Sequence, residues 1–388
     1  MTNGVYSRSA AQVAEDKRIL DAVIDLLNAG VAGFVKQYAP HAHKSGNGWH
    51  VGSINGELGS SMKIWATSGA WKDYNPGARR AGGNMLHFVA HHEFEGDLGK
   101  TIQHYKSHFG LDDKDPARIA KVLRAADADR EKVKKRDDAD TKRTRNAAFA
   151  LWAGSKDEPS PHIVGTPALA YLEHRVPGFA SLGKVPNCLR YRPDVSCAVR
   201  ATRENRAKYP ALLAGIYDLA GNFLAVHRTY LDLTDWDFAS KSGVVRNVKV
   251  QDDKGRWKSH KSSFGRFGVQ GGSIPLWKGK SRTSLAKLPE GEKVYVSEAI
   301  EKAFAWAVTH PDHHVRCAVS LDQIGNVALP PQAGPLVILA DNDPYGSDAQ
   351  ATLERVIAKH EAQGRTVELV YPPAGYKGFD DYLKGERM

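Results

Sequence analysis

Residues 337–349 read VILADNDPYGSDA, and this stretch decides the fold of the C-terminal part of the chain. An apolar run stops at Ala340, Asp341-Asn342-Asp343 follow, and Gly346 marks a turn that opens a helix-like segment. Uninterrupted apolar strands of this kind belong to parallel sheets covered on both faces. Such sheets bind ligands outside the carboxyl ends of their strands, where the two aspartates fall. Two carboxylates one residue apart on a tight turn can hold a hard cation such as Mg²⁺ through oxygen. The same residues also read as a helix N-cap with an acidic first turn, so this stretch alone leaves both readings open.

Its neighbours narrow the choice. KVYVSEAIEKAFAWAV (293–308) predicts a strand ending at Glu298 and then a helix. TVELVYPPAGYKGFDDYL (366–383) predicts another strand, a Pro-Gly loop, and the pair Asp380 and Asp381. The order strand-Glu-helix, strand-Asp-x-Asp-helix, strand-loop-Asp resembles the Toprim domain of topoisomerases and primases, over residues 291–388. YPALLAGIYDLAGNFLAVHRTYLD (209–232) resembles the basic subdomain that precedes Toprim in DnaG-type primases. The family's landmarks there read Asp218, Gly221 and Arg228, followed by KSHKSSFGRFG (258–268) with Lys261. GWHVGSINGELGSSMKIWATSGAWKDYNPGARRAGGNMLHFVAHH (48–92) resembles the N-terminal ribbon module of phage and plasmid primases.

The resemblance implies an α/β chain, mixed α+β overall. A C-terminal Toprim parallel sheet with flanking helices would occupy residues 291–388. Before it come an N-terminal helix and degenerate ribbon module (1–110), a charged helical connector (111–160), and a basic α+β subdomain (161–290). It implies a DNA primase of the phage or plasmid kind, a DNA-directed RNA polymerase that makes short primers on single-stranded DNA by metal-assisted nucleotidyl transfer. Two rivals use the same residues: a Toprim nuclease, in which metal activates water, and a catalytically weak single-stranded-DNA-binding accessory protein.

Composition agrees with a soluble globular protein, at 41% hydrophobic and 25% charged residues. No apolar run approaches the roughly 18 residues of a membrane span. The polar start MTNGVYSRSAAQVAEDKRIL lacks a signal peptide's apolar core, so the expected location is the cytoplasm of a bacterium or phage-infected host. Three scattered cysteines, Cys188, Cys197 and Cys317, fit reduced packing thiols. Net charge is +10, but residues 291–388 carry fourteen acids against nine bases, which leaves +15 on the first 290. A basic body with an acidic end suits an enzyme of nucleic acid.

Helical spacing marks residues 10–36 and 84–108, and alternation marks a ribbon over 48–75. Between 112 and 160 the chain is highly charged; REKVKKRDDADTKRTR reads as an exposed helix or a mobile tether, ended by Pro159-Ser-Pro161. Gly99-Lys100-Thr101 and Gly279-Lys280-Ser281 end like phosphate loops, yet Phe94 and Ile274 stand where the first glycine is required. With no P-loop, a helicase partner would be a separate protein.

The resemblance assigns Asp341 and Asp343 as principal ligands of Mg²⁺ or Mn²⁺, and Glu298 as a further ligand or as the base near the 3′-hydroxyl. Three positions depart from its pattern. Ala299 replaces a glycine, Lys302 stands where bacterial primases carry an aspartate, and Gly378 replaces the first aspartate of Lys-Asp-x-x-Asp. Glu301, Asp380 and Asp381 are the candidates to complete the ligand set. Arg228 is expected on a nucleotide or template phosphate, and Lys261 on the growing strand. His227 and Arg266 fall in the same basic segment. Alternation puts Leu224, Val226, Arg228 and Tyr230 on one strand face and His227 with Thr229 on the other. Residues 1–187 hold no cysteine, so a thiolate zinc site is excluded and zinc is not expected; His41, His43, His50, His87, His91 and His92 lack a complete ligand spacing. Trp49 and Trp71 are candidate platforms for template bases, with core packing the alternative.

Overall fold

The structure, a computed structural model, describes residues 9–45, 47–75, 80, 82–197, 208–251, 257–265 and 271–388. The chain divides into two compact units, residues 1–140 and 141–388.

In the first unit, Ser9 and Gln12 form a capping box that starts α1 (Ala10–Ala29), and α2 (Val31–Tyr38) follows. Five short antiparallel strands form a sheet in sequential order: β1 (His43–Ser45), β2 (Gly48–Val51), β3 (Met62–Trp65), β4 (Trp71–Asp73) and β5 (Gly82–Gly83). Next come α3 (Met85–Glu93), capped by Asn84, and α4 (Leu98–His108), capped by Asp97. Val23, Leu27, Met62, Ile64, Met85 and Phe88 make the core between helices and ribbon. α5 (Pro116–Ala153) is one helix of 38 residues, so the charged run is helical throughout. Pairs such as Lys132 with Asp129 and Lys135 with Glu131 lie along its surface. Gly154 then turns the chain at φ +79°, where a Cβ would sit 2.3 Å from the Ser160 nitrogen.

The second unit continues with α6 (Pro167–Arg175) and an antiparallel sheet. Its strands are β6 (Leu189–Ser196), β7 (Lys208–Tyr217), the long β8 (Phe223–Asp237), β9 (Ser242–Asn247) and, after the separate ribbon β10 (Lys249–Gln251) and β11 (Trp257–Ser259), β12 (Lys261–Gly265). The order is β12-β8-β7-β6, with β9 also on β8. Both faces of this sheet are covered. Leu212, Ala225 and Leu231 pack with Tyr171, Ile300 and Phe304, whereas Leu213, Val226 and Tyr230 pack with Ala148, from α5.

The C-terminal sheet is built from β13 (Ile274–Lys278), β14 (Val294–Ser297), β15 (His314–Cys317), β16 (Leu336–Leu339) and β17 (Val367–Val370) in the order β13-β15-β14-β16-β17. β14 to β17 are parallel, and β13 is an antiparallel edge strand. α7 (Ile300–Thr309), α8 (Leu321–Ile324), α9 (Asp348–Glu361) and α10 (Phe379–Lys384) complete it. All four residues of each of β14, β15 and β16 are buried, as a sheet covered on both faces requires. The mixed α/β expectation, ending in a parallel sheet with flanking helices, therefore holds. Among the described residues, no helix is long and apolar enough to cross a membrane.

Candidate active site

The chain crosses from β15 on one side of β14 to β16 on the other. That reversal opens a crevice at the carboxyl ends of β14 and β16, where open α/β sheets place their ligands. Ser297 and Leu339 are register partners, so Glu298 and Asp341 emerge close together just beyond them. Asp341, Asp343, Glu298, Lys302, Tyr345 and Gln350 line a cavity of about 210 Å³ there.

Between the two aspartates, Asn342 is the anchor. Its side-chain amide donates to the carbonyls of Pro372, Pro373 and Tyr376 at 3.0, 3.3 and 2.8 Å, and its backbone N–H donates to Lys377 O at 3.0 Å. The turn is thus tied to the loop after β17, with its two carboxylates left for the crevice. Asp343 makes a long ion-pair contact with Lys377, at 3.9 Å.

Lys302 sits at the centre of the site. It lies one helical turn beyond Glu298, and its Nζ is 3.2 Å from Glu298 Oε1 and in ion-pair contact with Asp341 Oδ1. Its side chain is 6% exposed, against 37% for Glu298 and 12% for Asp341. Burial opposes the ammonium charge, but Glu298 and Asp341 outweigh it and hold the lysine above its usual pKa. Burial pushes the Asp341 carboxyl upward; Lys302 counters this, while Glu298 and Asp343 add to it. Gly378 belongs to the same arrangement. A Cβ there would lie 3.4 Å from both Asp341 Oδ1 and the Lys302 Cε, and 2.9 Å from Asp380 Oδ1. An aspartate at 378 would crowd Lys302 and Asp341, so two departures that look independent in sequence are one packing arrangement.

The other candidate ligands are engaged elsewhere. Glu301 is buried, takes both Lys261 Nζ contacts at 2.7 and 2.8 Å, and accepts from the Tyr171 hydroxyl. Burial would raise its pKa, but Lys261 and these hydrogen bonds bring it down to about 2. Glu301 is therefore a structural carboxylate rather than a ligand facing the crevice, and Lys261, expected on the growing strand, is its counter-ion. Asp380 is buried and paired with Arg175 at 2.7 Å. Asp381 is half-buried, 3.4 Å from Lys384.

Arg228 corrects another expectation. Alternation holds from Val226 to Tyr230 but breaks at Leu224, where a register shift sends that side chain to the cluster of Ala225; His227 and Lys261 face Glu301, whereas Arg228 shares the opposite face with Val226 and Tyr230. Its guanidinium lies 5.9 Å from the Tyr230 ring and 5.6 Å from the Phe264 ring, with Nε buried and without a hydrogen-bond partner. A grip on a triphosphate at the Asp341 crevice does not follow from that face. His227 is buried against Ser263, and burial, with Lys261 adding, lowers its pKa to about 3; it is no surface contact. Arg266 lies outside the described residues. Trp71 is 2% exposed and donates its indole N–H to Asn84 O at 3.0 Å, so no ring face is left for a base. Trp49 is partly buried against the same core. The N-terminal histidines are spread over other tasks: His87 caps α3 with Asn84, His91 meets Asn55 at 2.8 Å, and His92 stacks on Tyr38 at 4.7 Å.

Among the described residues, no three His, Cys, Asp or Glu side chains converge as a preformed metal cage. Asp341 and Asp343 nevertheless fit one hard cation whose remaining shell is water, since both carboxylates line the open crevice. The Glu298 side of Asp341 is filled by the Lys302 ammonium.

Asn342, Lys302, Tyr171 and Arg175 were not named as site residues from sequence. Lys302 and Glu298 did carry a signal, the i,i+4 spacing of a helical ion pair. Arg175 and Asp380 are 205 positions apart and carried none.

Residues 293–386 match the Toprim domain family, and residues 142–257 match a domain of unknown function, DUF7146. No curated protein gives a significant sequence match. Among solved structures, the Aquifex aeolicus primase (zinc-binding and RNA polymerase domains) is similar at 13% identity and TM-score 0.35, covering 94% of this chain and 82% of that one. The E. coli primase catalytic core is similar at 15% identity and TM-score 0.37, over 63% of this chain and 75% of that one. A Pseudomonas aeruginosa DNA primase domain is similar at 14% identity and TM-score 0.35, over 65% and 74%. Toprim domains generally bind divalent metals such as Mg²⁺. Residues 293–386, with their parallel sheet and its acidic carboxyl end, match the Toprim domain.

Proposed function

We propose that the protein is a DNA primase, a nucleotidyltransferase that joins ribonucleoside triphosphates into short primers on a single-stranded DNA template. The observation that carries this reading is the placement of Asp341, Asp343, Glu298 and Lys302 at the switch point of the Toprim sheet. Joining two nucleotides requires a 3′-oxygen to attack an α-phosphate. Asp341 and Asp343 would hold a Mg²⁺ or Mn²⁺ ion, which when bound supplies charge stabilisation for the attacking and leaving oxygens.

The chain's own residues provide the rest. Lys302 keeps a fixed positive charge at the crevice floor, costing no reorganisation during reaction. Glu298, the most exposed of the three charged partners, would accept the proton of the incoming 3′-hydroxyl. Asn342 holds both aspartates in register. The basic excess in the first 290 residues suits a DNA template.

Incubation with single-stranded DNA, labelled ATP, the other nucleotides and Mg²⁺ or Mn²⁺ tests this. Labelled oligoribonucleotides support the reading. Breakdown of the template would make the protein a Toprim nuclease, and retardation without chemistry would make it an accessory binder.

A further inference from the structure

Each acidic side chain that could add a second metal position to Asp341 and Asp343 is already matched by a side-chain cation of this chain. Lys302 Nζ lies 3.2 Å from Glu298 Oε1 and in contact with Asp341 Oδ1. Glu301 takes Lys261 Nζ on both oxygens, at 2.7 and 2.8 Å. Asp380 accepts from Arg175 Nη2 at 2.7 Å, and Asp381 faces Lys384 at 3.4 Å. Gly378 brings no carboxylate, and a Cβ there would lie 3.4 Å from Lys302 Cε.

The Lys302 ammonium stands between two carboxylates that a second ion would need. Paired metal sites hold their ions about 3.5–4 Å apart and clamp the attacking and leaving oxygens between them. Asp341 is the residue such a pair would share, with Asp343 on one side and Glu298 on the other. The space between Asp341 and Glu298 is taken by Lys302 Nζ, and the lysine side chain is buried there. Charge gives the same count. Glu298, Asp341 and Asp343 less one ammonium leave two negative charges, which a single divalent cation neutralises. A second divalent cation would bury positive charge without a partner, at high cost. Lys377, 3.9 Å from Asp343, has a side chain that is 59% exposed, so water screens it at the rim.

On the reading that Asp341 and Asp343 hold metal, we infer that Lys302 occupies the place of a second divalent cation, so that the crevice takes one ion with the ammonium as its fixed partner. The departure at Lys302 is then a substitution of one cation for another rather than the loss of a ligand. Gly378 belongs to it, because a side chain there would press on the lysine stem.

The full chain, without template or nucleotide, is titrated with Mn²⁺ and the bound ions are counted by electron paramagnetic resonance. The wild type should bind one Mn²⁺ with the spectrum of an isolated ion. Asp343→Asn should weaken that ion by roughly tenfold or more, since one of its two carboxylates is gone. Lys302→Asp exchanges the ammonium for a carboxylate and should bind two, with the coupled spectrum of ions about 3.5–4 Å apart. If that variant does not fold, Lys302→Met keeps the side-chain length and should bind a second ion, lost again when Glu298→Gln is added. Two coupled ions in the wild type would overturn the inference, and so would a single ion in every folded variant. No ion in any of them would overturn it together with the metal role of Asp341 and Asp343, so the count tells the two failures apart.

Discussion

Replacing Lys302 by methionine keeps the length of the side chain and removes the charge that pairs with Asp341 and Glu298. Its ammonium touches Asp341, whose side chain is 12% exposed, and lies 3.2 Å from Glu298, which is 37% exposed. Removing one partner of a buried pair costs about 3–5 kcal/mol, because the other charge is left buried and unpaired. The contact to the more exposed Glu298 adds little beyond this, given that exposed pairs are worth about 1 kcal/mol or less. The lower end, about 3 kcal/mol, is therefore expected, since Asp341 retains some access to water. For a unit of this size that is a fall in melting temperature of about 6–12 °C in EDTA. A divalent cation at a hundred times its dissociation constant returns about 2.7 kcal/mol by mass action. Calorimetry in EDTA and in millimolar MgCl₂ reads both effects. Lys302→Met should show a large magnesium-dependent gain in melting temperature, and the wild type a small one. A variant that loses less than about 1 kcal/mol, or gains no more from magnesium than the wild type, would refute the idea that Lys302 supplies site charge.

Glu301 makes a pH prediction. Its folded pKa is lowered from 4.5 to about 2, so its contribution is present above the unfolded value and is lost as pH falls through the folded one. Denaturant midpoints between pH 5 and 2 should fall with acid in the wild type by an amount worth about 3 kcal/mol, and Glu301→Gln should flatten that slope. If the variant tracks the wild type, the Lys261–Glu301 pair is not what acid breaks. Arg228→Lys should leave the apparent KM for nucleotides within about twofold, because the guanidinium faces Tyr230 and Phe264; a rise of tenfold or more would put it on the nucleotide. Trp71→Phe should lower stability by about 1 kcal/mol through the lost Asn84 bond, and leave single-stranded DNA affinity unchanged in an anisotropy titration.

The acidic crevice was legible because its signals are local. An apolar strand running into an acid, and a second acid two residues later, are visible within ten residues and fall at the carboxyl end once the sheet is parallel. The parallel sheet followed from the same runs. What failed was partner choice. Glu301 has the residue type of a ligand, but Lys261, 40 positions earlier, reaches it only through the pairing of β12 with β8. Arg228 shows the limit of alternation, which sorts side chains into two faces and leaves open which face meets the neighbouring domain. Trp71 looked like a platform because tryptophans in a small ribbon serve either purpose; the hydrogen bond to Asn84 decides for the core.

The central claim is that Asp341 and Asp343 drive templated nucleotide joining, and one measurement reaches it directly. Wild type, Asp341→Asn and Asp343→Asn are each given a single-stranded template, labelled ribonucleotides and Mg²⁺ or Mn²⁺, and the products are resolved by length. The account predicts template-dependent oligoribonucleotides from the wild type and a loss of at least a hundredfold, about 2.7 kcal/mol of barrier, in both variants with the fold retained. Synthesis that persists in either folded variant, or a wild type that only degrades or retards the template, would contradict it.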